Sequence, residues 1–328
     1  MNTMLSNNLE AARERAQYDE HAKQLIGNIW ILAHILKFSV KEFRNMSIQQ
    51  IKACIAPDVE VAAVPVLPGQ TNESQNEQEQ LLGDNTENKI PGEGYITYDI
   101  RFHVKIPVAH GWKRKNRRRH GRKNSLREIK LLINIEAQKD ASPGYSLVTR
   151  GIFYGARMIS AQLGTEFRIP HYDGMKKVYS IFIIMNAPKH IGNSIVNYSM
   201  KKENLVGSAP EVPESYDKLA VMELYLDQEH LGEENSIFHL LNVLLSEKLE
   251  VEEKKDVLEN IYHIPMDDGM RKEISLMCNL SEGIEERGAD QFALLTKRLL
   301  AEKRIDDLQR AADDKEYRRE LYREFKIN

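Results

Sequence analysis

Cysteine is nearly missing from this chain of 328 residues, with only Cys54 and Cys278. Two thiols build neither a disulfide framework nor a cysteine-based zinc site, and they fit a reducing compartment. Aromatic residues are sparse too, at 7%, with tryptophan only at Trp30 and Trp112. Long apolar runs are lacking. The greasiest stretch, Leu25 to Phe38, is interrupted by Asn28, His34 and Lys37 and falls short of the ~20 apolar residues that span a bilayer. The opening MNTMLSNNLEAARER does not have the charged-then-apolar order of a secretory signal. A cytoplasmic protein with no membrane partner is therefore expected. G-x-x-x-x-G-K-[ST], H-E-x-x-H and G-x-S-x-G patterns are absent as well, so nucleotide hydrolysis on a phosphate loop, zinc peptidase and α/β-hydrolase chemistry have no support.

An excess of one charge is the last absence. Lys and Arg number 46 against 49 Asp and Glu, a net −3, but the balance is uneven along the chain. From Lys113 to Lys123 the run KRKNRRRHGRK holds eight bases in eleven residues, whereas residues 247–290 hold thirteen acids against six bases. Two such regions call for different partners. An apolar content of 41% is enough for a sizeable core, so wholesale disorder is excluded.

Hydrophobic spacing predicts a helix over 8–38, then a short one opened by the capping-box pair Ser47 and Gln50. VEVAAVPV (59–66) reads as a strand pushed to a sheet edge by Pro65. The polar stretch 68–94 reads as a flexible surface excursion. Period-two alternation then predicts a strand over 95–107 and another over 129–138, which makes the basic run the tip, 110–125, of a long hairpin. A helix over 145–163 follows, with Gly151 and Gly155 spaced to let it lie close on a sheet. The continuous apolar run 178–185 reads as a strand covered on both faces. This order makes a β-α-β crossover. Further strands are expected at 195–200 and 219–226, and helices over 238–263, 268–286 and 290–326. The predicted division is a helical lead (1–24), an α/β core (25–232) and an all-helical C-terminal region (233–328). That acidic region would repel nucleic acid, so protein contacts such as homo-oligomerisation are its expected role.

Two acids stand where packing favours Val or Ile. Asp99 lies between Tyr98 and Ile100, and Glu136 between Ile135 and Ala137, although carboxylates are depleted in strands. Glu136 and Gln138, two apart, share a face. If the strands pair, Asp99 and Glu136 converge on one hard divalent cation such as Mg²⁺. The competing reading makes Asp99 one half of a structural ion pair with Arg101 or Arg150.

Element order α-β-β-β-α-β, with Asp on one hairpin strand and Glu-x-Gln on the next, resembles the PD-(D/E)XK restriction-endonuclease-like fold. The longer segments TYDIRFHVKIP, LLINIEAQKDASPGYSLVTRGIFYGARMIS, KKVYSIFIIMNAP and KKENLVG are similar to the bacterial Rpn family of recombination-promoting, transposase-like PD-(D/E)XK nucleases. LLNVLLSEKLEVEEKKDVLENIYHIPM, EISLMCNLSEGIEERG and RIDDLQRAADDKEYRRELYREFKI extend the likeness over about 25–327, the polar excursion and basic tip excepted.

The resemblance implies a DNA endonuclease dependent on Mg²⁺, or Mn²⁺, in which Asp99, Glu136 and the carbonyl of Ala137 hold the metal. Gln138 stands where many nucleases of this fold carry a lysine, and a neutral amide donates hydrogen bonds without supplying charge. Arg150 and Tyr154 match the helix that follows the Glu-x-Gln strand, as phosphate-holding or acid-buttressing residues, with surface salt bridges and packing as the alternative. Glu42 is the candidate acid from the first helical segment. The basic tip is expected to contact DNA through Lys113, Arg114, Arg117, Arg118, Arg119 and Arg122, joined by Arg157, with Trp112 and His120 available for stacking. Its alternative is a solvated hairpin end. A rival for the whole chain is a DNA-binding or scaffold protein that keeps the fold with little or no cleavage.

Overall fold

The computed structural model describes residues 17–56, 60–61, 87–90, 94–97, 99–107 and 128–327. Within them the expected long N-terminal helix is two helices, α1 at 17–26 and α2 at Ile29–Ser39. The cause of the break is local. The side-chain oxygen of Asn28 accepts from the Trp30 backbone N–H at 2.9 Å, starting a new helix directly after Gly27. Ile31, Leu32, Ala33, Ile35 and Leu36 of α2 are all fully buried, as expected of a helix that is apolar all round. A 3-10 turn, Lys41–Phe43, leads to α3, Ile48–Lys52, where Ser47 and Gln50 form the anticipated capping box.

A six-stranded mixed sheet follows, in the order β1-β4-β5-β6-β8-β7. Its strands are β1 (Glu60–Val61), β4 (Ile100–Pro107), β5 (Glu128–Asp140), β6 (Lys177–Asn186), β7 (Ser194–Ser199) and β8 (Leu219–Tyr225). β5, β6 and β8 are parallel to one another, while β4 pairs antiparallel with β5 and β7 with β8. Strand β6 is buried over eight consecutive residues, Val178 to Met185, because a parallel strand has both faces covered.

Two further strands, β2 (Glu87–Ile90) and β3 (Gly94–Thr97), form their own antiparallel pair. This corrects two expectations. Part of the polar stretch 68–94 is ordered as strand, and the expected strand over 95–107 is two strands with a bend at Asp99 between their partners. Unbroken alternation hides such a change of hydrogen-bonding partner. The basic tip 110–125, the rest of 68–94 and the remainder of 59–66 lie outside the described residues.

Between β5 and β6 runs α4, Leu147–Ser160, capped by Ser146, whose hydroxyl accepts from Thr149 N–H. Leu147 packs with Phe182, Ile184 and Val221, and Met158 with Leu132 and Val178. Gly151 and Gly155 permit this approach. A Cβ at Gly151 would stand 2.5 Å from Val221 Cγ1, and one at Gly155 would stand 2.2 Å from Leu219 Cδ1.

The short helix α5 (Pro213–Tyr216) precedes β8, and α6 (Ile237–Leu244) and α7 (Val251–Asn260) come after it. The chain divides into two compact units, one of residues 23–246 and 257–265, the other of 1–22, 247–256 and 266–328. The division differs from the sequence-based one because α6 is apolar and buried at Ile237, Leu240, Leu241, Val243 and Leu244, and belongs with the sheet unit.

In the second unit, α8 (Asp268–Ala301) is one 34-residue helix that continues through Gly288, where a break was expected. With α9 (Ile305–Asp313) and α10 (Lys315–Glu324) it encloses Leu295, Leu299, Ala311, Leu321, Phe325 and Ile327. Met222, Met266, Met270 and Met277 are all buried. Among the described residues, no helix is long and apolar enough to cross a membrane.

Candidate functional site

Antiparallel register places the two strand acids side by side. Ile100 pairs with Ile135, and one step further sets Asp99 opposite Glu136. Each carboxylate then bonds to the other strand: Glu136 Oε1 accepts from Asp99 N–H at 3.1 Å, and Asp99 Oδ2 accepts from Ala137 N–H at 2.9 Å. In a strand the N–H and C=O of one residue point to the same side. The Ala137 carbonyl therefore faces the same edge as Asp99, past the first pair of the β4 ladder.

Two cations complete the centre. Arg150 Nη2 of α4 donates to Glu136 Oε2 at 3.1 Å, and Lys23 Nζ of α1 lies 2.7 Å from Asp99 Oδ1. Arg150 Nη1 also donates to Gln138 Oε1 at 3.4 Å and to the Tyr145 hydroxyl at 3.0 Å. Its guanidinium carbon stands 4.8 Å from the centroid of the Tyr154 ring and 5.8 Å from that of Phe182. One planar, five-donor group thus organises the Glu136 side of the site.

Glu136 is only 2% exposed. Burial, followed by the charge of Asp99, pushes its carboxyl up to about 8, against the pull of Arg150. Burial and the nearby Glu136 also push the Tyr154 phenol above its ordinary range. Burial works against the Arg150 charge, but Glu136 and Tyr154 outweigh it and hold the guanidinium above its ordinary value.

Of the expected site residues, Asp99, Glu136, Ala137, Gln138, Arg150 and Tyr154 come together. Glu42 does not join them: its Oε2 accepts from the Tyr179 hydroxyl at 2.6 Å. Tyr179 pairs with Ile133, and Ile133 and Glu136, three apart on β5, lie on opposite faces of the sheet. Arg157 is 3% exposed, so this described position is closed to a DNA phosphate and the expected contact is withdrawn. Lys113, Arg114, Arg117, Arg118, Arg119 and Arg122, with Trp112 and His120, lie outside the described residues. Sequence reasoning missed Lys23 and Tyr145. Nothing near Lys23 marks it, because its link to Asp99 exists only once the chain folds.

A hard divalent ion fits this donor set through two carboxylates and one carbonyl. Among the described residues, no group of three or more His, Cys, Asp or Glu side chains is placed to hold a metal, so a third protein donor there would be a backbone carbonyl or an amide oxygen. Burial and the neighbouring Asp99 both oppose the charge on Glu136, the kind of repulsion that a divalent cation would offset. Comparison with protein-family models, curated proteins and solved structures finds no match to this chain.

Proposed function

We propose that this chain is a DNA endonuclease of the PD-(D/E)XK type, similar to the Rpn recombination-promoting nucleases, that hydrolyses phosphodiesters with Mg²⁺ or Mn²⁺. The observation that carries the reading is the Asp99–Glu136 pair. Two carboxylates are set against each other across β4 and β5, one of them buried, where an apolar pair would be more stable. Asp99, Glu136 and the Ala137 carbonyl would hold the ion, which when bound supplies an activated water and stabilises charge in the transition state. Arg150 fixes Glu136 and holds the Gln138 carbonyl oxygen, leaving the amide nitrogen of Gln138 to donate to the water or to a phosphate oxygen. The basic run Lys113–Lys123 supplies the sequence-independent attraction to DNA.

A second reading draws on the same contacts. All four oxygens of Asp99 and Glu136 already have a protein donor, and Gln138 replaces the customary lysine. Both features suit a DNA-binding or scaffold protein that keeps the fold without cutting. Incubation of supercoiled plasmid with the protein separates the two. Nicking with Mg²⁺ that EDTA stops and Asp99→Asn abolishes supports the nuclease, and intact plasmid under all conditions supports the scaffold.

A further inference from the structure

The two cations of the site are held differently. Arg150 is tied to Glu136, Gln138 and Tyr145 and lies close to the rings of Tyr154 and Phe182. Lys23 reaches Asp99 Oδ1 at 2.7 Å as a point charge on a flexible stem, with side-chain exposures of 25% for Lys23 and 15% for Asp99. A fork held at several points is fixed, whereas an ammonium on one partly exposed oxygen is exchangeable. Its position is also informative. A divalent ion bound by both acids needs an outward oxygen of Asp99, and two cations cannot share that oxygen without strong repulsion. Gln138, which occupies the usual lysine position, brings no charge of its own.

We propose that Lys23 is the exchangeable cation of this site: it neutralises Asp99 in the metal-free protein, yields Oδ1 to a divalent ion, and turns its ammonium to the phosphodiester. The assignment rests on the nuclease reading above and gives that reading the positive charge that the Glu-x-Gln strand does not carry. Lys23 is then a catalytic residue, in contact with a non-bridging phosphate oxygen during cleavage.

The proposal makes two effects of one substitution run in opposite directions. In Lys23→Met, the competitor for Asp99 is gone, so calorimetric titration of the metal-stripped full chain with Mn²⁺ should show about fivefold tighter binding, the scale of a partly exposed ion pair. At saturating Mn²⁺ the same variant should nick plasmid at least about tenfold more slowly, the scale of one lost charged contact to the transition state. Lys23→Arg keeps the charge and should keep Mn²⁺ affinity near that of the parent. Tighter Mn²⁺ binding alone fits any ammonium paired with Asp99, and the slower nicking at saturating Mn²⁺ is what separates a phosphate-contacting Lys23 from one that only balances Asp99. Parent protein that binds Mn²⁺ alongside a Lys23→Met variant that binds it equally or more weakly overturns the Lys23 assignment alone. So does a variant that nicks at the parent rate. Parent protein that binds no Mn²⁺ overturns the nuclease reading, and this inference with it. If Lys23→Met does not fold, Lys23→Gln takes the same measurements with the same expected signs.

Discussion

Two charged clusters sit on opposite faces of one sheet, built from similar residues and balanced in contrary ways. On the face away from Glu136, Glu42 accepts from Tyr179, while Asp217 is bracketed by Lys41 and by Lys177 at 2.8 Å. Burial works against the Asp217 charge, but the hydrogen bonds from Lys177 and Lys41 outweigh it and hold the carboxyl below its ordinary value. On the α4 face, Asp99 and Glu136 are set against each other, and Glu136 is pushed up to about 8 by burial and by its neighbour. Asp217 is therefore a satisfied acid, and Glu136 is a frustrated one. An acid whose charge the fold opposes costs stability where it stands, and the proposed function gives Glu136 its reason; an acid whose charge the fold favours, like Asp217, contributes stability itself.

Glu136→Gln should give the largest effect. Loss of one carboxylate should lower Mg²⁺-dependent nicking by at least about a hundredfold, while the metal-free variant melts at the parent temperature or above it. Calorimetric melting and plasmid nicking check the two halves. A variant that unfolds, or one that nicks at the parent rate, would break the contrast. Protons separate the faces as well. Because the folded pKa of Glu136 lies above its unfolded value of 4.5, its charge destabilises the fold increasingly as pH rises from about 5 to about 8. From about pH 5 to about pH 8, metal-free parent should lose stability relative to Glu136→Gln and then level off, as read by urea denaturation.

Asp217→Asn is the matching change on the other face. With Asp217 and Lys177 only 11% and 10% exposed, breaking their pair strands a buried ammonium and should cost about 3 kcal/mol in urea denaturation. Nicking per folded molecule should stay at the parent level, because Asp217 and its two lysines lie on the face of the sheet away from Glu136. A large loss of nicking would connect the two clusters.

Gly151→Ala tests how closely α4 must lie to carry Arg150 to Glu136. The added Cβ would stand 2.5 Å from Val221 Cγ1 and 3.0 Å from Phe182 Cε2. Val221 is a stiff β-branched residue, so the helix must move, at about 1–3 kcal/mol. Nicking should fall together with stability, since Arg150 is the adjacent residue. Loss of stability with undiminished nicking would free the Arg150 contact from helix position.

How much of this contrast is legible in the sequence depends on the range of the interaction. Strands β5 and β6 and helix α4 follow from alternation, an unbroken apolar run and helical spacing, all local signals. Asp99 and Glu136 stand out because an acid among strand apolars is costly wherever the strand pairs. Glu42, expected at the site only from the resemblance, lies on the other face with Tyr179, because spacing along a chain does not say on which face of a sheet a following turn will land. Arg157 shares a helix side with Arg150, but α4 lies against the sheet and buries it. Lys23 and Asp99 meet only through the packing of α1, and α8 continues through Gly288 because one helical glycine costs only about 1 kcal/mol.

The smallest expected effect belongs to Tyr179→Phe, which removes one hydroxyl and leaves the ring. That hydroxyl donates to Glu42 Oε2 at 2.6 Å, and a single hydrogen bond to a charged acceptor is worth about 1.5 kcal/mol net. The ring is retained, and with it the Lys177 ammonium 4.7 Å from its centroid, so packing is conserved. Urea denaturation should register a loss of about 1–2 kcal/mol, and nicking and Mn²⁺ affinity should match the parent. The tyrosine on the opposite face sharpens the result: Tyr154→Phe keeps the ring beneath Arg150 but removes a phenol close to Glu136, and it should change nicking more than stability. If both variants lose stability and neither loses nicking, Tyr154 is packing alone, and the functional face narrows to Lys23, Asp99, Glu136, the Ala137 carbonyl, Gln138 and Arg150.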